Sequence, residues 1–253
     1  MSDGGFEEVV ARLRAAGCVF AEDEARLLLG QSGDVAAMVA RRVAGEPLEY
    51  ILGWAEFAGR RFVVAPGVFV PRHRTELLVR LAVGFAHEQA VVLDLCCGSG
   101  ALGATVAAEV PGIELHAADV EPAAVDCARQ NVPGDVYQGD LYAPLPQRLR
   151  GRVDVLIANV PYVPTDEVAL MPPEARDHEP RVALDGGADG LDVLRRVVAE
   201  APAWLAPGGH VLFEASERQA AAATAELRKA GLVASAEEDD ELGATVVVGQ
   251  REH

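Results

Sequence analysis

No stretch of this 253-residue chain approaches the roughly 18 consecutive apolar residues of a membrane span, and no basic amino terminus precedes an apolar segment. Positive charge is scarce as well. Against 39 Asp and Glu stand 22 Lys and Arg, for a net charge of -17. Proteins that track phosphates usually carry a basic stripe that releases counterions, so this balance argues against direct nucleic-acid binding and suits a basic protein partner or simple solubility. Cysteine is sparse: Cys18, Cys96, Cys97 and Cys127 form no CxxC pair and share no ligand spacing with histidine. The expectations are reduced thiols, no metal, no membrane and a cytoplasmic location. Half of the residues are apolar, enough for a sizeable core.

The first third and the remainder read differently. Phe6 to Ala16, Ala21 to Leu29 and Asp34 to Ala44 have helical periodicity, broken at Gly17 and at Gly30 to Gly33. Trp54 to Phe57 and Arg61 to Val64 then flank Ala58-Gly59-Arg60 as a hairpin. From Thr75 the pattern alternates: helix to His87, strand Val91 to Leu95, helix Ala101 to Glu109, strand Glu114 to Ala118, helix Pro122 to Gln130, and strands at Val136 and at Val153 to Ala158. A helix Leu191 to Trp204, a strand His210 to Glu214 and a helix Gln219 to Ala230 follow, with an antiparallel edge formed by Leu232-Val233 and Thr245 to Val248. Such alternation predicts an α/β fold with a parallel sheet covered on both faces. The expected division is a helical domain over 1–52, a hairpin linker over 53–74 and an α/β domain over 75–253.

Two motifs carry chemistry. In the first, Val91 to Leu95 runs into Cys96-Cys97-Gly98-Ser99-Gly100 and the helix start at Ala101. Gly98 and Gly100 allow close backbone approach, the helix start offers unpaired N–H groups, and Asp119 follows at the end of the next strand, where an acid meets ribose hydroxyls. A nucleoside-bearing cofactor follows. Gly98, Gly100 and Gly103 also satisfy the dinucleotide G-x-G-x-x-G, but Asp94 before the turn, placed to meet an ammonium group, favours S-adenosylmethionine. Asp140 and Leu141, after the strand at Val136, are placed near the adenine; a plain surface turn explains Asp140 equally well.

The second motif, Asn159-Val160-Pro161-Tyr162, ends an apolar strand, where ligands bind in an open α/β sheet. The Asn159 side-chain carbonyl and the Val160 main-chain carbonyl offer two acceptors to an NH2 group. Pro161 stiffens the turn and Tyr162 supplies a flat wall. A dehydrogenase explains none of this. Other residues read more blandly: Thr75 and Glu76 as a helix cap, His178 as a loop histidine, and Cys96 and Cys97 as loop residues without a nucleophilic role.

On these motifs the chain resembles the protein-(glutamine-N5) methyltransferases over nearly its whole length. Glu46 to Gly53, Pro71-Arg72-His73-Arg74-Thr75-Glu76, Glu179 to Gly187 with Asp189-Gly190-Leu191, and Glu214 with Gln219 are similar to that family's segments. The chain departs from the family with Val160 for a proline, Cys96 for a glycine and Cys97 for a threonine. The resemblance implies a Rossmann-like methyltransferase with a small helical domain that recognises a protein substrate. Its cofactor is then S-adenosylmethionine, held by Asp94, Cys96, Cys97, Gly98, Ser99, Gly100, Asp119, Asp140, Leu141 and Asn159. The acceptor is a glutamine in a class I peptide chain release factor or a ribosomal protein, gripped by Asn159, Val160, Pro161 and Tyr162. Two other readings stand beside it: N6-adenine methylation, which uses a similar turn, and a cofactor-binding paralogue that does not catalyse.

Overall fold

The computed structural model describes residues 3–252. Helices α1 (Asp3–Ala15), α2 (Ala21–Leu29) and α3 (Val35–Val43) close on a small core of their own, in which Val10, Leu13, Ala25, Leu28 and Val39 are buried. Left-handed Gly17 (φ +92°) follows α1, and the Asp34 carboxylate caps α3 by accepting from Ala37 N–H at 3.1 Å. A short helix absent from the sequence reading, α4 (Leu48–Leu52), follows Pro47 and stops at left-handed Gly53. Buried Arg42 of α3 grips both carboxylate oxygens of Glu24 (2.6 and 3.0 Å) and reaches Glu174 at 2.6 Å, in a segment far along the chain.

The hairpin β1 (Trp54–Phe57) and β2 (Arg60–Val63) has a two-residue turn, with strand β2 one residue earlier than its periodicity suggested. Ala58 (φ +49°) and Gly59 (φ +70°) are both left-handed, the geometry that matches strand twist in the tightest hairpins. Glu76 holds that turn by accepting from Ala58 N–H at 3.2 Å. The cap expected at Thr75 is not made: its hydroxyl is buried without a partner, and helix α5 (Glu76–Phe85) begins on a 3-10 turn.

The main sheet contains β3 (Val91–Leu95), β4 (Glu114–Asp119), β5 (Asp135–Gln138), β6 (Val153–Ala158), β7 (Leu205–Ala215), β8 (Val233–Asp239) and β9 (Ala244–Gln250), in the order β5-β4-β3-β6-β7-β9-β8. The first five run parallel, and β9 joins β7 and β8 antiparallel. Strand β3 is buried on both faces, as suits a run that is apolar apart from Asp94. Helices α5, α6 (Ala101–Glu109) and α7 (Pro122–Asn131) cover one face, and α9 (Asp192–Trp204) and α10 (Glu217–Lys229) the other. On α9, Leu194, Val197, Val198, Ala201 and Trp204 recur at helical spacing and are buried together. A short helix α8 (Pro173–His178) lies in the long connection between β6 and α9 and contains His178, expected in a loop.

Chain direction across the sheet decides where a ligand goes. Strands β3 and β6 are neighbours, and the crossover after β3 leads to β4 on one side while that after β6 leads to β7 on the other, leaving a crevice beyond the carboxyl ends of β3 and β6. Leu95 pairs with Ala158, which brings the turn after β3 beside the turn after β6.

Candidate active site

One cavity opens at this crevice. Its walls include Cys96, Cys97, Gly98 and Ser99 after β3, Asp119 after β4, Asp140 and Leu141 after β5, and Asn159, Val160, Pro161 and Tyr162 after β6. Residues from four separate turns thus meet in one place. Asp94 and Gly100, also singled out in the sequence, do not reach its wall. Asp94 is fully buried beneath the glycine turn, where one carboxylate oxygen accepts from Gly103 N–H at 2.9 Å and the other has no partner. Burial pushes its pKa up to about 7, against the opposing pull of the Gly103 bond. A Cβ on Gly100 would stand 2.4 Å from a Val132 methyl carbon, so this glycine serves the packing of the turn on α7.

The turn after β3 is folded for close approach. Cys96 (φ +55°), Gly98 (φ +55°) and Gly100 (φ +77°) are all left-handed, and Gly100, at the N-cap of α6, has no side chain to cap the helix. Asp119 pins the turn: one oxygen accepts from Gly98 N–H and the other from Glu121 N–H, each at 2.9 Å. Burial raises the Asp119 pKa. Burial also drives both cysteine thiols upward, away from thiolate chemistry. Leu141 is another left-handed non-glycine (φ +50°), and Asp140 is bound by Arg196 at 2.6 Å.

In the turn after β6, Asn159 is half-buried at the wall, and its amide makes no side-chain hydrogen bond among the described residues. Val160 is buried in the core cluster on the α9 and α10 face of the sheet, so packing holds the turn where the chain lacks a second proline ring. The Tyr162 hydroxyl donates to Glu214 Oε1 at 2.7 Å and accepts from Arg74 Nη2 at 2.6 Å, while Arg74 Nε donates to the same glutamate oxygen at 2.9 Å. Burial, with Glu214 beside it, raises the Tyr162 pKa, so the ring stays a neutral wall.

A second strip of chain fixes this turn from behind. Gln219 Nε2 donates to the main-chain carbonyls of Tyr162 and Asp189, both at 2.9 Å. Val163 N–H donates to the Leu184 carbonyl at 3.0 Å, and Gly186 N–H donates to the Val163 carbonyl at 2.8 Å. The glycine-rich stretch from 179 to 191 is therefore a buttress for the turn.

The cavity also uses residues that no local motif marked, among them Phe69, Glu121, Met171 and Arg196. Arg72 and Arg74 lie in the Pro71 to Glu76 segment, which had drawn notice without a site role. Arg72 reaches both oxygens of buried Glu179 at 2.6 and 2.7 Å. His178 is not on the cavity wall.

The donor set discriminates between cofactors. The cavity's arginines are spent on carboxylates: Arg72 on Glu179, Arg74 on Glu214 and Arg196 on Asp140. Asp119 and Glu121 also face inward, so a pyrophosphate would meet carboxylates, whereas a cationic sulfonium and ammonium fit. Apolar Phe69, Leu102 and Leu141 suit an adenine ring.

Sheet order and cavity together define a Rossmann-like S-adenosylmethionine-dependent methyltransferase. A methyltransferase from Pyrococcus furiosus shares the fold with a TM-score of 0.59 at 16% identity, over 86% of this chain and all of that one. Residues 59–171 match the methyltransferase small domain family. The release factor glutamine methyltransferase of Geobacter sulfurreducens is 38% identical over 85% of this chain and 76% of its own length. That of Deinococcus radiodurans is 36% identical over 92% of each. The chain belongs to the release factor glutamine methyltransferase family.

Proposed function

We propose that this protein methylates the side-chain amide nitrogen of a glutamine in a class I peptide chain release factor, in the cytoplasm, with S-adenosylmethionine as donor. The observation that carries the reading is the Asn159-Val160 pair: a side-chain carbonyl without a protein partner, beside a main-chain carbonyl, on the wall of the cavity that also holds the glycine turn.

An amide nitrogen is a weak nucleophile, because its lone pair is shared with the carbonyl. Two acceptors that take its two N–H bonds orient the remaining face and stabilise the positive charge that develops on nitrogen. In this reading Asn159 and Val160 are those acceptors, Pro161 fixes their angle and Tyr162 closes the carboxamide from one side. No general base is required, since the proton leaves after the new bond has formed. Cys96 to Ser99, Asp119, Asp140 and Leu141 hold the cofactor, Gly100 lets their turn pack on α7, and Asp94 acts from below by fixing Gly103 and the start of α6. Bound there, S-adenosylmethionine supplies an electrophilic methyl group on sulfur.

In the same reading, residues 1–52 recognise the protein substrate, 53–74 link, and 75–253 catalyse. Val19 and Phe20, between α1 and α2, are 83% and 69% exposed and offer apolar purchase. The excess of acid favours a protein over DNA or RNA as partner. The test offers labelled donor with a release factor, ribosomal proteins, DNA and RNA, and maps the label by mass spectrometry. Label on a release-factor glutamine is expected. Label confined to ribosomal protein or to adenine rejects the assignment.

A further inference from the structure

Behind Tyr162 lies a second cavity. Its wall includes Arg74 and Tyr162, shared with the first, then Glu214 near the end of β7, Ser216 and Glu217 just after it, and Glu238, Asp239 and Asp240 at the end of β8. Five carboxylates face one arginine. Asp239 is paired with Arg80 from outside, and Arg74 spends itself on Oε1 of Glu214. Glu214 belongs to this cavity alone, its side chain is only 3% exposed, and its Oε2 is buried without any hydrogen-bond partner.

An orphaned carboxylate oxygen in an acidic pocket is costly unless a cation satisfies it. No cluster of metal-ligating side chains occurs among the described residues, so the geometry does not favour an ion. We propose that this cavity is a substrate subsite which takes the cationic side chain, arginine or lysine, of a residue near the target glutamine. The proposal rests on the function argued above and adds a sequence preference to it. Tyr162 is the partition: one side of the ring meets the carboxamide, and its hydroxyl is anchored to the glutamate of the cation subsite. Occupying the second cavity therefore bears on the wall of the first. The subsite selects substrates by charge while the Asn159 turn selects the amide.

The test is direct binding, so that it does not depend on turnover. The protein, saturated with S-adenosylhomocysteine, is titrated with synthetic heptapeptides that carry a central glutamine and, at one position at a time from three before to three after it, arginine, lysine or neutral citrulline. At one or two positions a cationic peptide should bind about tenfold more tightly than its citrulline counterpart. That ratio should shrink toward one in Glu214→Gln. It should shrink likewise in the surface double variant Glu238→Gln with Asp240→Asn, which leaves the buried pair intact should Glu214→Gln fold poorly. Arginine against lysine identifies the cation. Equal binding of charged and neutral peptides at every position, no binding at millimolar concentration, or a ratio untouched by the double variant would each overturn the subsite. If instead the charge preference appears but no release factor is methylated, the subsite stands and the function assigned above falls.

Discussion

Gly190 sets its bare Cα against the main-chain carbonyl of Tyr162, so closely that a Cβ would stand 2.2 Å from that oxygen and 2.3 Å from Gln219 Nε2. Its φ of +76° is left-handed besides. Gly190→Ala should cost about 3 kcal/mol, from strain and overpacking together, and shift the Tyr162 turn. Thermal unfolding and a turnover assay check this. A variant of unchanged melting temperature and full turnover would contradict the buttress described here.

Asn159→Ala removes one of the two proposed acceptors without touching the glycine turn. Turnover should fall about a hundredfold, as when one oriented hydrogen-bonding group is lost from a reaction site. Affinity for S-adenosylhomocysteine, measured by calorimetry, should stay within a few fold of the parent. A parallel loss of both would mean that the residue serves cofactor binding first.

Cys96 holds a left-handed backbone (φ +55°) at a position where glycine carries no Cβ penalty. Relief of about 1–2 kcal/mol is set against the extra freedom that glycine gives the unfolded chain, about 0.4–1 kcal/mol. Cys96→Gly should therefore stabilise by about 0.5–1 kcal/mol and raise Tm by a few degrees. An unchanged or lower Tm would show that thiol packing outweighs backbone strain.

Asp94 gives the ligand-free protein a signed pH dependence. Burial raises its folded pKa from 3.8 to about 7, so between these values the folded state holds a proton that the unfolded chain has released. Stability should then fall as pH climbs from about 4 to 7 and level off above. Asn at this position keeps an acceptor for Gly103 N–H and cannot ionise, so Asp94→Asn should flatten that part of the profile. Denaturant unfolding of both proteins across the window supplies the check, and identical slopes would remove Asp94 as the source.

Much of this architecture was legible in the chain. Helix α6 and strands β3 and β6 lie where their periodicity and flanking glycines place them, because each is a regular run bounded by an unambiguous break. The losses have physical causes. Helices α4 and α8 span five and six residues, less than two turns, too few to display a 3.6-residue repeat. The hairpin turn was read one residue long because nothing in an alanine announces that Ala58 takes a left-handed φ; the bond from its N–H to Glu76 comes from outside the hairpin. Strand β7 begins at Leu205, ahead of the expected His210, since Ala206 to Gly209 are irregular in pattern but still follow β6, across a register shift. At the cavity, residues within the two motifs could be named from sequence, whereas Arg74, Met171 and Arg196 arrive from a 3-10 turn, a loop and a helix face that only tertiary folding brings together. Asp94 was legible as a polar residue in an apolar run, but not its direction, down toward Gly103 instead of into the cavity.

The guanidinium of Arg42 has a mechanical consequence. It is locked to Glu24 within the amino-terminal helices and grasps Glu174 in the connection that also supplies Met171 and Val182 to the cleft. If the amino-terminal helices receive a protein partner as proposed, this buried ion pair links their placement to the rim of the cleft, and its loss would leave Glu24 uncompensated among the helices as well as freeing Glu174 from them.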